Sequence, residues 1–110
     1  MKRFKDLNET DVIYILTECN DLYICKVVRI YRGYGSFARF IYDYVDKYTS
    51  RVTERHVDVN LEMCGDMTDI AVYNEIYPYS IYLNIEDVII EIDHQIERLN
   101  NHKKTLKELF

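Results

Sequence analysis

Short apolar runs and alternating apolar and polar positions fill residues 1–83 and predict β-strands. The clearest alternation lies between residues 52 and 61, where Val57, Val59 and Leu61 are separated by polar residues. This two-residue period predicts a half-buried antiparallel strand. The other predicted strands are the apolar runs at residues 12–16, 22–31, 37–45, 70–73 and 76–83.

The segments between these strands carry turn-forming residues. Gly33 and Gly35 predict a tight turn with positive φ before the third strand. Residues 63–66 predict a loop. Pro78 indicates a bend or an edge position in the last strand, because proline has no amide proton to donate to a neighbouring strand.

The apolar period changes at Asn84, and residues 84–110 predict one helix without an internal glycine or proline. Asn84 is a favourable N-cap residue, and Glu86 and Asp87 would lie in the first turn, where the helix dipole favours anions. Apolar residues recur in alternating steps of four and three, a heptad seam that Lys103 interrupts. The seam consists of Ile85, Ile89, Ile92, Ile96, Leu99, Leu106 and Phe110.

The predicted helix is too long for the β domain that precedes it. Its 27 residues would span about 40 Å, whereas a compact domain of this size has a radius of gyration of about 13 Å. We therefore predict that the first half docks on the sheet and that the second half pairs with a helix of a second copy. The alternative is a helix that lies across the sheet. The residues predicted to mediate self-association are Ile92, Ile96, Leu99, Leu106 and Phe110.

Composition and charge narrow the class of protein. The chain has 110 residues, of which 48% are hydrophobic, enough to form one folded domain and too few for two. The formal net charge of −5 disfavours a non-specific nucleic-acid binder, since such proteins bind phosphates with a basic surface. Three cysteines without a C-x-x-C pair indicate reduced thiols in a cytoplasmic compartment. We expect neither a signal peptide nor a membrane span.

An aromatic and basic cluster around the second connection is the candidate partner-binding surface. Its members are Tyr31, Arg32, Tyr34 and Arg39. Tyrosine and arginine are enriched in protein interfaces, and the same residues on strands could stack bases and neutralise phosphates. A third interpretation is that the aromatic residues belong to the core and the arginines are solvated.

The sequence favours neither a metal site nor a catalytic centre. Asp58, Asn60, Glu62 and Asp69 match part of a calcium-loop spacing, but Met63 stands where that loop requires glycine. The cysteine at position 64 lies among acidic residues, which disfavour a reactive thiolate. We therefore predict no cofactor, no metal and no enzymatic activity.

Two segments resemble known proteins. Residues 4–15, in which a leucine, a polar turn and Asp11 precede an apolar strand, are similar to the start of SH3-like barrels, although Thr10 replaces the usual glycine. Residues 81–88, which lead into a long charged helix, resemble small accessory proteins of bacteriophages and mobile elements. This resemblance implies a phage accessory protein in the host cytoplasm that acts by binding, such as an inhibitor of a host defence protein of the anti-CRISPR kind.

These observations lead to one description of the chain. We predict an α+β protein, with five or six antiparallel strands in a small SH3-like barrel or curved sheet over residues 1–83 and a helix over residues 84–110. The function we expect is that of a non-catalytic protein-interaction module that forms a homodimer through its helix. The alternative function is a nucleic-acid-binding module that uses the arginine and tyrosine cluster.

Overall fold

The computed structural model of the chain describes residues 1–33, 35–73 and 78–110. Six strands form one antiparallel sheet, and a long helix ends the chain. The elements are a 3₁₀ turn Phe4–Asp6, β1 Val12–Thr17, β2 Leu22–Arg32, β3 Phe37–Val45, β4 Val52–Asn60, α1 Leu61–Cys64, β5 Asp69–Val72, β6 Tyr79–Tyr82 and α2 Ile85–Leu109.

The sheet is a half-barrel. Its strand order is β4-β3-β2-β1-β6-β5, and every neighbouring pair is antiparallel. β4 and β5 form the two edges, so the described strands curl without closing into a full barrel. The predicted α+β architecture with a small curved sheet and a long C-terminal helix is therefore confirmed.

The main core lies on the concave face of the sheet. Alternate residues of each strand point to this face, as the two-residue period requires. A bulge between Val27 and Arg29 shifts the register of β2 against β3, so that Ile30 returns to the concave face opposite Phe40. The buried residues of this core in the strands include Ile13, Ile15, Cys25, Val27, Phe40, Tyr42, Val57, Val59 and Ile81.

The N-terminal segment closes one end of the half-barrel, a role that the sequence pattern did not predict. Phe4 and Leu7 are almost completely buried in the main core. The ring of Phe4 lies 6.1 Å from that of Phe40, centroid to centroid. The backbone amide of Lys5 donates to the carbonyl oxygen of Gly65 at 3.1 Å, so this segment is joined to the connection between β4 and β5.

The predicted loop at residues 63–66 is partly wrong, because a helical turn, α1, covers its first two residues. The side chain of Asn60 explains this turn. Its Oδ1 accepts hydrogen bonds from the backbone amides of Glu62 and Met63 at 3.1 and 3.3 Å, which is N-capping geometry. Gly35 adopts a φ of 79°, as predicted for the turn before β3. The predicted strand at residues 76–83 is confirmed only for Tyr79–Tyr82, and positions 76 and 77 lie outside the described residues.

Candidate interaction surface

The first half of α2 docks on the convex face of β1 and β6. Val88 is buried there with Leu16 and Tyr82 in a second, smaller apolar cluster. Ile92, one turn further along, is half-buried against the same cluster. The predicted docking of the first half of the helix on the sheet is thus what the structure shows.

Asn84 occupies the N-cap position of α2, but its side chain makes no capping hydrogen bond. Instead, its Oδ1 accepts from the backbone amide of Lys2 at 3.0 Å, and its Nδ2 donates to the carbonyl oxygen of Lys2 at 2.9 Å. This pair of hydrogen bonds joins the start of the chain to the start of the helix. The expectation that the Asn84 side chain caps the helix was therefore wrong, because both polar atoms of its amide group form hydrogen bonds with the backbone of Lys2.

The second half of α2 projects from the body of the protein. All residues from 96 to 110 are exposed, and the molecule measures 58 × 34 × 26 Å along its principal axes. The exposed seam includes Leu99, which is 61% exposed, together with Ile96, Leu106 and Phe110. Because its residues are exposed, this half of α2 lacks the tertiary contacts that stabilise most protein helices. A helical segment of this length is marginal in water without such contacts.

An exposed apolar surface continues the seam onto the sheet, and we call it the apolar shelf. Tyr14 and Leu22 are half-buried beside the docked helix. Ile24 is paired with Tyr14 across β1 and β2 and is 67% exposed. The apolar shelf consists of Tyr14, Leu22 and Ile24 of the sheet and Ile89, Ile92 and Ile96 of α2.

The sequence did not identify the sheet side of this shelf. Residues 22–25 are apolar without interruption, and such a run is compatible with burial on both faces. In the structure Tyr23 and Cys25 point into the main core, while Ile24 lies on the exposed face. The main core on the concave face buries Tyr23 and Cys25, and α2, which covers β1 and β6, leaves Ile24 of β2 exposed on the other face.

Charge is distributed unevenly along α2. Residues 85–97 contain five acidic and no basic side chains, and residues 98–110 contain four basic and one acidic. The halves therefore carry net charges of −5 and +3 with histidine neutral. Arg98 crosses this boundary, since its Nη2 lies 3.1 Å from Oε1 of Glu91. The helix thus presents an acidic docked half and a basic projecting half.

The structure brings together only part of the predicted partner-binding cluster. Tyr31 and Arg39 are cross-strand neighbours at the end of β2 and β3. Arg32 is paired with buried Ala38, and its Nη2 donates to the carbonyl oxygen of Leu7 at 3.4 Å. Position 34, the fourth predicted residue Tyr34, lies outside the described residues. Tyr31 and Arg39 therefore share the convex face, and Arg32 does not.

The arginines of the convex face already have carboxylate partners. Arg39 binds Asp58 through two hydrogen bonds of 2.7 and 3.0 Å, and this contact holds the pKa of the Asp58 carboxyl below its usual range. Arg29 binds both carboxylate oxygens of Glu54 at 2.9 and 3.0 Å. A phosphate would have to compete with these carboxylates for the charge of both arginines, which disfavours nucleic acid as the ligand of this face.

The open end of the half-barrel contains a cleft of about 520 Å³. The Arg55 guanidinium lies 3.7 Å from the centre of the Tyr44 ring, and the Lys47 ammonium lies 4.7 Å from that of Tyr23. The two rings pack together with centroids 4.4 Å apart. Because each cation lies over an aromatic face, both contribute to packing at this end of the sheet.

The polar groups of this region favour their neutral forms. Burial raises the pKa of the Tyr42 phenol, and its hydrogen bond to the Tyr79 hydroxyl, 3.1 Å between oxygens, raises it further. Burial also raises the pKa of the Cys25 thiol to about 11, although Arg55 lowers it. A general base or a nucleophile needs the deprotonated form near neutral pH, so these groups are poorly suited to either role.

Two of the residues considered for a metal site have other roles in the structure. Asp58 binds Arg39, and Asn60 caps α1. Within residues 1–33, 35–73 and 78–110, no three histidine, cysteine or acidic side chains lie close enough together to bind a metal ion. In the same part of the chain, no helix is both long and apolar enough to cross a membrane.

We compared the chain with protein families, curated proteins and solved structures. No family model, no curated protein and no solved structure matches this chain.

Proposed function

We propose that the protein is a non-catalytic interaction module that acts as a homodimer through the projecting half of α2. The observation that supports this proposal is the apolar seam on residues 96–110, none of which is buried by the rest of the chain. Pairing with a second copy would remove Ile96, Leu99, Leu106 and Phe110 from water and would give the helix the tertiary contacts that it lacks.

The dimer would present its partner-binding face twice. Tyr31 and Phe37 are exposed aromatic residues, 52% and 56% accessible, at the same end of the convex face. Exposed aromatic side chains commonly act as anchors in protein interfaces. A dimeric partner could therefore bind with a gain in avidity, and we place the contact with another protein at this end of β2 and β3.

Of the two functions considered from the sequence, protein binding is better supported than nucleic-acid binding. The ion pairs of Arg29 and Arg39 neutralise the convex face, and the whole chain has a net charge of −5. For the partner we propose a host defence protein, as the resemblance of residues 81–88 to phage accessory proteins implies.

Light scattering during size-exclusion chromatography tests the dimer. We expect the wild type to have twice the monomer mass of 13.3 kDa. Leu99→Asp places a charge in the seam, and we expect it to give the monomer mass with an unchanged circular dichroism signal from the sheet.

Asn101→Asp is the matched control. Residue 101 lies on the face of α2 opposite the seam, so the same charge is added to the same exposed segment without entering the contact. We expect this variant to remain dimeric. A wild type that is monomeric at every concentration tested would contradict the proposal, as would a Leu99→Asp protein that is as dimeric as the control.

A further inference from the structure

The geometry points to an antiparallel pairing of the two α2 helices, in which the basic end of each helix lies against the docked acidic half of the other. This inference rests on the proposed dimer and specifies its orientation. Antiparallel pairing brings the half with net charge −5 against the half with +3 at two symmetric places. Parallel pairing would bring like-charged halves together along the whole contact, which is unfavourable.

Lys103 gives an independent reason for this orientation. It occupies a core position of the heptad seam, between Leu99 and Leu106. In a parallel pair the same core position of each helix meets its own counterpart, so two Lys103 ammonium groups would face each other. In an antiparallel pair each core position meets a different core position of the second copy; in the register that we propose, Lys103 packs beside Leu99 of the second copy, and the two ammonium groups are separated.

The apolar shelf would bind the C-terminal end of the second helix. When Lys103 lies beside Leu99 of the second copy, the heptad spacing places Phe110 of the second copy beside Ile92. Ile92 is the part of the shelf where α2 meets the sheet. Ile89, one turn before Ile92, and Ile24, the cross-strand neighbour of Tyr14, are exposed members of the same shelf, so the contact would cover shelf residues that a parallel pair leaves open.

The flanking charges agree with the same register. Asp93 and Lys107 are both exposed, and neither forms an ion pair with another residue among those described. They occupy equivalent flanking positions of the seam, two heptads apart. The antiparallel register brings Asp93 of each chain opposite Lys107 of the other, whereas a parallel pair would keep these two positions two heptads apart.

Mixing two charge-reversal variants tests the orientation. Asp93→Lys alone would place two lysines opposite each other at both ends of its homodimer, and Lys107→Asp alone would place two carboxylates there. We expect each variant to dissociate at about tenfold higher concentration than the wild type. An equimolar mixture restores both opposite-charge contacts, so we expect a heterodimer with wild-type affinity, measured by sedimentation equilibrium.

Glu97→Lys and Lys104→Asp form the control pair, since they change the net charge by the same amounts on the outer face of α2. We expect neither weakening nor rescue from them. If the single reversals of Asp93 and Lys107 weaken the dimer but their mixture does not recover, or if the single reversals have no effect, the antiparallel orientation is wrong while the dimer stands. A monomeric wild type would overturn both proposals.

Discussion

Cutting the chain after Gln95 separates the two halves of α2 that the structure distinguishes. This truncation removes residues 96–110, all of which are exposed, and keeps Val88 and Ile92 on the sheet. The truncation also removes Arg98 and with it the exposed ion pair to Glu91. Loss of exposed residues together with such a pair changes the free energy of unfolding by about 1 kcal/mol or less. We therefore expect the shortened monomer to be nearly as stable as the full-length monomer.

A second truncation, after Asn84, removes the docked half as well. It deletes Val88 and uncovers Leu16 and Tyr82, which are all buried in the second cluster. Burial of each of these three side chains is worth roughly 1.5–3 kcal/mol, which gives a loss of roughly 5–9 kcal/mol. That loss is comparable with the whole stability of a small domain, about 5–15 kcal/mol, so we expect this protein to be largely unfolded.

Urea denaturation followed by tyrosine fluorescence is a suitable assay, because the chain contains eleven tyrosines and no tryptophan. Measurements at low protein concentration compare the monomers, and measurements at high concentration include the contribution of the dimer. The unfolding midpoint of the full-length chain should rise with concentration, and that of the chain ending at Gln95 should not. A loss of more than about 2 kcal/mol at low concentration for the Gln95 truncation would refute the division of α2 into a docked and a projecting half.

Two further changes test the core. Phe4→Ala should lower the free energy of unfolding by about 3–5 kcal/mol in urea denaturation, because Phe4 is buried against Phe40. Phe37→Ala should lower it by less than about 1 kcal/mol, because Phe37 is exposed. Equal losses would mean that the N-terminal segment does not close the half-barrel. Burial raises the pKa of Cys25 to about 11. Between about pH 9 and pH 11 the thiol ionises in the unfolded chain but stays protonated in the folded chain, so the free energy of unfolding should fall over this range. Cys25→Ala should show a smaller decline over this range, and an identical decline would contradict the burial of a protonated thiol.

The sequence predicted those elements whose pattern is local. Strand β4 follows from the alternation of Val57 and Val59 with polar residues, and α2 follows from the heptad seam after Asn84. In each case the period of the side chains is set by the geometry of one element, so neighbouring residues contain the signal. The exposed projecting half was also predictable, since the length of the helix exceeded the size of the domain.

Contacts between distant residues were not predictable in this way. Arg39 was a candidate for partner binding, but the β3–β4 register places it opposite Asp58, 19 residues further along the chain. Phe4 carries no periodic signal in a 3₁₀ turn of three residues, although it closes the main core. Nothing near Asn84 in the sequence indicated that Lys2 would take its side-chain hydrogen bonds.

The sequence by itself determined that the chain is an antiparallel sheet followed by a helix with an apolar seam. The tertiary structure alone decided that the sheet stays open, that α2 leaves the sheet near Gln95, and that Ile24 becomes part of an exposed shelf beside the helix. The physical reason is that hydrophobic periodicity specifies which face of an element is apolar. Which of those apolar faces find a partner within the chain depends on strand order and packing, and these arise from contacts between residues far apart in sequence.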